Sequence, residues 1–255
     1  MIQEPIEVIR AGAVIRGMTY RPGPADRTRR CPAVLMLHGF TGQRMEAGFM
    51  FVSLGRALVQ RGVAAVTFDF LHSGESDGGF EQMLVSGELA DALHMARWTQ
   101  SRPFVDRSRL AILGFSLGGL LASCVQARTG AFQAMALLAP TTAENLNRFA
   151  RKKASEGRVL LGPHELHPRF FEDLGKHDPI GDAVRHPRPT LVVQGTADTS
   201  VPPEVSGAYV EALKRAGVPV TRQLIDGADH AFTKAAARQE LIEMVSAWLA
   251  GEVVD

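Results

Sequence analysis

Uninterrupted apolar runs alternate with segments of helical spacing from about residue 33 onward, and this alternation restricts the fold more than any other feature. The runs 33–37 and 63–68 are apolar nearly throughout, as in strands that are buried on both faces. Between them, segment 50–61 has helical spacing and stops before Gly62, a residue typical of helix ends. Such alternation is typical of a sheet covered by helices on both faces, so the sequence predicts an α/β fold with a mostly parallel central sheet flanked by helices.

The remaining segments extend this plan. Residues 6–15 and 14–20 are predicted to form an antiparallel opening ribbon. Further helices are predicted at about 81–100, 117–128, 204–216 and 234–249, and further strands at 110–113, 134–138, 190–194 and 218–225. Residues 141–189 show no clean period and are rich in charge, Pro and His. Because so long an irregular stretch in a compact domain is usually functional, we interpret 141–189 as a small cap insertion over the site of a single domain, 1–255.

Composition limits the partners and the compartment that we expect. Lys and Arg number 28 against 27 Asp and Glu, a formal net charge of +1, so nucleic acid and anionic membranes are not expected as partners. No run reaches the roughly 18 apolar residues of a membrane span, and the N-terminus has no signal-peptide pattern, which predicts a soluble, cytoplasmic protein. Cys31 and Cys124 have no disulfide spacing and are expected to be free thiols. The oligomeric state stays open, a homodimer included.

The segment Gly-Phe-Ser-Leu-Gly at 114–118 has the pattern G-x-S-x-G and lies directly after a predicted buried strand and directly before a predicted helix. A serine on such a sharp strand-to-helix turn is exposed for nucleophilic attack, and the flanking glycines are needed because a Cβ there would collide with neighbouring backbone. The alternative is a Gly-rich turn that only lets a helix pack on the sheet. The context favours Ser116 as a nucleophile.

A serine hydroxyl needs a base that takes its proton and a carboxylate that orients the base. Asp198 follows the predicted strand 190–194, and His230 follows the strand 218–225 and precedes the last helix. Both therefore lie on loops at the carboxyl edge of the sheet, where catalytic groups collect. The chain order Ser116, Asp198, His230 is the order expected for a catalytic triad on this kind of sheet.

Each member of this triad also has a plainer interpretation. Asp198 could be a turn or capping residue, and His230 could be a surface histidine. Asp226 and Asp229 are rival carboxylates close to His230, but turn and capping roles explain both. The chain has neither H-E-x-x-H nor paired Cys/His spacing, so no metal and no cofactor are expected.

Acyl transfer places negative charge on the carbonyl oxygen, and backbone N–H groups stabilise it. One donor is expected to be Leu117, the residue after the nucleophile, and the second is Phe40, in the loop after the strand 33–37. Gly39 and Gly42 allow this loop to turn an N–H inward. His38 is expected to brace the loop rather than to transfer protons.

With these residues the chain resembles the α/β-hydrolase superfamily over nearly its whole length, and more narrowly the small bacterial cinnamoyl or feruloyl esterases. The narrower resemblance depends on His-Gly-Phe-Thr-Gly at 38–42, Phe-Asp-Phe at 68–70, Gly-Glu-Ser-Asp-Gly at 74–78 and a single insertion before the acid-bearing strand. It implies a serine esterase without a cofactor, with a cap that shapes the acyl pocket. The residues carried over are Ser116, Asp198, His230, Phe40 and Leu117.

The insertion supplies the expectations about substrate. Phe149, Phe170 and Phe171 could form an apolar wall of the substrate pocket, or could pack the cap onto the main domain. A short or medium acyl group, or a compact aromatic one, is expected on a small-molecule ester. The rivals are a serine peptidase of the same fold, disfavoured because such peptidases usually carry a further large domain, a thioesterase, and a hydrolase-fold binding protein without turnover.

Overall fold

The computed structural model describes residues 1–23, 30–151, 154–155, 158–161 and 163–254. Its strands are β1 (Ile2–Arg10), β2 (Ala13–Arg21), β3 (Cys31–Leu37), β4 (Ala64–Phe68), β5 (Val105–Phe115), β6 (Ala134–Leu138), β7 (Ala154–Ser155), β8 (Arg158–Leu161), β9 (His164–Glu165), β10 (Thr190–Gly195) and β11 (Val220–Ile225). Its helices are α1 (Met50–Gln60), α2 (Val85–Gln100), α3 (Leu117–Thr129), α4 (Ala143–Arg151), α5 (Phe170–Leu174), α6 (Pro179–Ala183), α7 (Pro203–Arg215) and α8 (Ala235–Val254).

Eight strands form the central sheet in the order β1-β2-β4-β3-β5-β6-β10-β11. β1, β2 and β4 pair antiparallel, whereas the strands from β4 to β11 pair parallel. After β3 the chain passes to β4 on one side, and it then returns to β5 on the other side. The loops after β3 and β5 therefore diverge, which leaves a crevice at the carboxyl ends of these strands. The predicted α/β fold is confirmed.

The two faces of β3 show how the sheet is buried. Leu35 and Leu37 pack into the core on the side of α2, α3 and α7, while Val34 and Met36 pack into the core on the side of α1 and α8. All four side chains are fully buried. This alternation explains why the run is apolar at every position, because a strand covered on both faces has no side that water reaches.

The predicted helix at 81–100 begins later in the structure. Residues Phe80–Gln82 form one turn of 3₁₀ helix, and Met83 and Leu84 are extended, so α2 starts at Val85. Met83 is buried in the core, and Leu84 precedes the helix as its N-cap. The helical spacing of the sequence extends through this segment, but burial of Met83 in an extended conformation interrupts the helix.

Within its described residues, the segment predicted as a cap contains three helices and three short strands. α4 is followed by a small antiparallel sheet of β7, β8 and β9, then by α5, and then by α6, which packs against α3 and α7. Residues 152–153, 156–157 and 162 of the predicted insertion lie outside the described residues. Among the helices that the structure describes, none is long and apolar enough to cross a membrane.

Candidate active site

Ser116 occupies the turn between β5 and α3 in a conformation that few residues adopt, with φ 54° and ψ −115°. A Cβ added to Gly114 would lie 2.0 Å from the carbonyl oxygen of Gly118, and one added to Gly118 would lie 2.0 Å from that of Leu37. The turn is therefore closed so tightly that both flanking positions require glycine. Strained backbone of this kind is typical of functional residues, and it directs the Ser116 side chain away from the sheet.

The structure brings the three predicted catalytic residues together. Ser116 Oγ lies 3.0 Å from His230 Nε2, and His230 Nδ1 lies 2.7 Å from Asp198 Oδ2. Since a carboxylate only accepts hydrogen bonds, His230 donates its Nδ1–H to Asp198, and its Nε2 lone pair is left to accept from the serine hydroxyl. This is the tautomer that a general base requires.

Asp198 is held by more bonds than the sequence suggests. It is 4% exposed, its Oδ1 accepts the N–H groups of Ser200 and Val201 at 2.9 Å each, and its Oδ2 accepts the Gln194 side-chain N–H at 2.9 Å. Gln194 is fully buried at the end of β10 and was not identified from the sequence. A glutamine at the end of an otherwise apolar strand, four residues before the aspartate, was the available signal. These bonds fix the carboxylate that orients His230.

The rival carboxylates bond elsewhere. Asp226 accepts a hydrogen bond from the Thr196 hydroxyl at 3.1 Å. Asp229 accepts the N–H of Thr233 at 2.7 Å and also its hydroxyl, and the Thr233 hydroxyl holds the pKa of Asp229 below its usual value. Both interactions are those of turn residues, and neither carboxylate is bonded to His230.

The loop after β3 carries the second predicted oxyanion donor. The carbonyl oxygen of Gly39 accepts a bond from His38 Nδ1 at 2.9 Å and from the N–H of Gly42 at 3.0 Å. Because a trans peptide directs its C=O and N–H groups oppositely, these bonds also set the direction of the Phe40 N–H. Among the described residues, none accepts a hydrogen bond from the N–H of Phe40 or Leu117.

His38 is a neutral brace in this loop. Its Nε2 accepts the N–H of Phe70 at 3.2 Å, so the ring hydrogen is on Nδ1, which donates to Gly39. The side chain is 1% exposed, and burial lowers the pKa of His38 to about 4. The residue therefore stays uncharged at neutral pH and connects the loop after β3 to the loop after β4.

A cavity of about 360 Å³ opens beside Ser116 and His230. Three side chains from the cap segment form its apolar wall: Leu146, Phe149 and Leu161. A second groove of about 700 Å³, whose lining includes Gln43, His72 and Glu81, shares Thr41 with this cavity. The two spaces therefore adjoin at the loop that carries Phe40.

Of the three phenylalanines predicted to contact substrate, the structure brings only Phe149 to the cavity. Phe170 is fully buried and stacks on Phe40, with ring centroids 5.3 Å apart. Phe171 packs edge-on against Phe170 at 5.4 Å and has the Arg151 guanidinium over its ring at 4.2 Å. These two rings pack the cap onto the main domain, which was the second role that the sequence allowed.

Cys31 and Cys124 are both free thiols, as predicted. Within the described ranges, no cluster of three or more His, Cys, Asp or Glu residues is arranged to hold a metal ion.

A mostly parallel eight-stranded sheet with a G-x-S-x-G turn after β5 defines an α/β-hydrolase. Residues 51–254 match the prolyl oligopeptidase family, and the chain belongs to that family. A curated relative, the uncharacterized 31.7 kDa protein in the traX-finO intergenic region of Escherichia coli, is 22% identical over 241 residues, which cover 78% of this chain and 82% of the relative.

Solved structures share the fold at low sequence identity. Est1E from Butyrivibrio proteoclasticus, solved with bound ferulic acid, has a TM-score of 0.84 at 20% identity and covers 98% of this chain and 100% of its own. A puromycin-hydrolyzing peptidase of Mycobacterium tuberculosis has a TM-score of 0.77 at 21% identity, over 98% of this chain and 39% of the peptidase. The predicted resemblance is confirmed at the level of the fold. However, membership of the prolyl oligopeptidase family removes the argument from length against a peptidase.

Proposed function

We propose that this protein is a serine esterase that hydrolyses carboxylic esters of small molecules. The observation that carries the proposal is the continuous hydrogen-bonded series from Ser116 Oγ through the His230 ring to Asp198, at 3.0 Å and 2.7 Å. This series is the arrangement that converts a weakly nucleophilic hydroxyl into an attacking group. The proposal needs no cofactor, because side chains and backbone N–H groups supply every step.

In the first half-reaction, Ser116 Oγ attacks the ester carbonyl carbon while its proton passes to His230 Nε2. The carbonyl oxygen becomes an oxyanion that accepts the N–H groups of Phe40 and Leu117. The tetrahedral intermediate collapses, the proton on His230 passes to the leaving alcohol oxygen, and an acyl-enzyme remains. Asp198 stays ionised and stabilises the imidazolium.

In the second half-reaction, water takes the place of the alcohol. His230 removes a proton from the water, whose oxygen attacks the acyl carbon of the ester on Ser116. When this intermediate collapses, Ser116 Oγ leaves and regains its proton from His230, and the carboxylic acid is released. Each half-reaction therefore returns the base to the neutral form.

The cavity volume supports a compact acyl group. About 360 Å³ is at the small end of the range for ligand sites, and Leu146, Phe149 and Leu161 give the cavity an apolar wall. A short or medium acyl chain, or a compact aromatic acid, suits this space. The adjoining groove, which shares Thr41 with the cavity, offers room for the alcohol.

The test is a substrate panel on the purified protein. It contains p-nitrophenyl esters from acetyl to palmitoyl, methyl ferulate, an acyl thioester and a peptide anilide. We expect turnover of esters with a preference for short to medium acyl groups, and covalent labelling by a fluorophosphonate probe that Ser116→Ala abolishes. Absence of both labelling and ester turnover in the wild type would instead support a binding protein with this fold.

A second candidate function, peptide hydrolysis, is favoured by the match to the prolyl oligopeptidase family. A peptidase would use the same triad and the same oxyanion donors, but it would have to protonate an amine instead of an alcohol. Turnover of the peptide anilide in the substrate panel separates the two candidate functions. Faster turnover of the anilide than of every ester would replace the esterase proposal with the peptidase, and faster turnover of the thioester would replace it with a thioesterase.

A further inference from the structure

Glu46 is a buried carboxylate beside the loop that carries the Phe40 N–H. It is 7% exposed, its Oε1 accepts the N–H of Gly39 at 2.6 Å, and its Oε2 accepts the N–H of Ala47 at 3.2 Å. Both carboxylate oxygens are thus bonded to backbone. Gly39 immediately precedes Phe40, so one of these bonds reaches the peptide next to the proposed oxyanion donor.

The position of Gly39 explains why such a restraint is needed. A Cβ at this position would lie 3.3 Å from Ser116 Cβ and 3.2 Å from the ring of Phe115, closer than most side-chain contacts. The close approach to the nucleophile favours glycine, but glycine is the residue with the greatest backbone freedom. Without restraint, rotation about Gly39 would move the Phe40 N–H away from the reacting carbonyl.

Two peptide planes meet at the Gly39 Cα, and each is held by its own hydrogen bonds. Glu46 holds the N–H of Gly39 and so the first plane. His38 and the N–H of Gly42 hold the carbonyl of Gly39 and so the second plane, which contains the Phe40 N–H. Because each plane is rigid, holding both fixes the two dihedral angles of Gly39.

The loop is closed tightly around the carboxylate. A Cβ added to Gly42 would lie 2.9 Å from Glu46 Oε1 and 2.9 Å from the carbonyl oxygen of Gly39. Thr41 and Glu46 both have left-handed backbone, with φ 59° and 58°. Non-glycine residues adopt this conformation rarely, and strain of this kind persists where surrounding bonds determine it.

We propose that Glu46 is a positioning residue for the oxyanion hole: its carboxylate holds the Gly39 N–H and thereby keeps the Phe40 N–H directed at the carbonyl oxygen of the substrate. This inference rests on the proposed function. Glu46 does not touch the reacting atoms, so its effect is confined to the transition state, in which the negative charge develops.

The experiment compares Glu46→Ala, Glu46→Gln and Gly42→Ala with wild type, with turnover normalised to active sites titrated by a fluorophosphonate. Removal of one oxyanion donor costs about 10²–10³ in kcat, and a displaced donor should cost less, so we expect Glu46→Ala to lose about 10–100-fold in kcat. KM should change by less than about threefold, because ground-state binding is retained. Glu46→Gln keeps an acceptor oxygen and should lose less, and Gly42→Ala displaces the carboxylate from outside and should resemble Glu46→Ala.

Inhibition by a trifluoromethyl ketone is a measurement that would not change if Glu46 had only a structural role. It forms a hemiketal with Ser116 whose oxyanion occupies the hole, so its Ki should rise across the variants in step with the fall in kcat/KM. Glu88→Gln is the matched control, since Glu88 is also a buried carboxylate, 3% exposed, but lies on α2. It should leave kcat and Ki unchanged.

The outcomes separate this inference from the proposed function. Wild-type protein that hydrolyses esters, with Glu46→Ala and Gly42→Ala at wild-type kcat and Ki per titrated site, overturns the inference and leaves the esterase standing. A lowered melting temperature alone, with kcat and Ki unchanged, gives Glu46 a structural role only and also overturns it. Inactive wild-type protein overturns both.

Discussion

The two sides of the catalytic cavity are held by different forces. On the main-domain side, Asp198 accepts four hydrogen bonds, and the carbonyl of Gly39 accepts two. On the cap side, Leu146, Phe149 and Leu161 meet the cavity through apolar side chains. Hydrogen bonds depend steeply on direction, whereas apolar contact does not. The chemical groups are therefore fixed in orientation, while the cap determines shape.

The cap nevertheless has polar links to the main domain. Asp173 on α5 accepts the N–H of Ser86 at 2.8 Å and its hydroxyl at 2.6 Å, at the start of α2. Asn145 on α4 donates to the Thr141 hydroxyl and to the carbonyl of Ser200, both at 3.1 Å. The Asp173 link does not line the cavity, whereas Asn145, Thr141 and Ser200 line it beside the apolar wall. Both links hold the cap in place.

The largest effect should come from substitutions on the main-domain side of the cavity. Ser116→Ala and His230→Ala should each lower ester kcat by about 10³–10⁶-fold, because each removes a member of one catalytic unit. The circular dichroism spectrum and melting temperature should stay near those of wild type. A variant with more than a tenth of wild-type activity would show that the residue is not part of the mechanism.

Substitution of Asp198, the proposed triad acid, should have the next largest effect. Asp198→Asn should lower kcat by about 10²–10⁴-fold, since an amide cannot hold His230 in the required tautomer and stabilise its charge. The matched control is Asp229→Asn, one residue from the base, which should keep near wild-type rates because Asp229 bonds to Thr233. The reverse result, with Asp229→Asn inactive and Asp198→Asn active, would assign the acid to Asp229.

The cap side should respond through selectivity. Phe149→Ala removes part of the cavity wall and so enlarges the cavity. It should lower kcat/KM for medium-chain or aromatic acyl esters by about 10-fold, with little change for acetyl esters. Phe171→Ala, a substitution of the same size behind the cavity, should lower the melting temperature and leave the acyl preference unchanged. Equal shifts in acyl selectivity for the two variants would mean that the apolar wall of the cavity includes Phe171.

The smallest effect concerns stability and pH, at a buried carboxyl that lines neither the cavity nor the groove. Burial, with repulsion from Asp91 second, raises the pKa of Glu88 well above its usual value. The folded state therefore keeps a proton on Glu88 that the unfolded state releases. The contribution of Glu88 to the free energy of unfolding is full at low pH and is lost as the pH rises toward and through the raised pKa.

Glu88→Gln cannot ionise and should avoid this loss. Its melting temperature should exceed that of wild type by about 2–6 °C at pH 8, and by less at pH 5. Thermal unfolding followed by circular dichroism at the two pH values checks this. The same difference at both pH values would mean that the carboxyl does not titrate between them.

Sequence alone was sufficient for elements whose signal is local. The apolar run of β3 predicts a strand that is buried on both faces, and the Gly-x-Ser-x-Gly pattern predicts a sharp turn. Both predictions follow from a few neighbouring residues, because steric limits and strand burial act over a few positions. The order of Ser116, Asp198 and His230 also followed, since parallel strands deliver their loops to one edge. These three were predicted as catalytic residues without any contact being known.

Tertiary structure alone decided which side chains meet across the fold. Phe149 and Phe171 are both aromatic residues of one irregular segment, yet only Phe149 reaches the cavity. Gln194 and Glu46 bond to Asp198 and Gly39, which lie on the same stretch of chain, and the folded path of each loop sets these contacts. A sequence pattern reports that a residue is buried or turns the chain, but it does not report what lies opposite, because that depends on how distant segments pack.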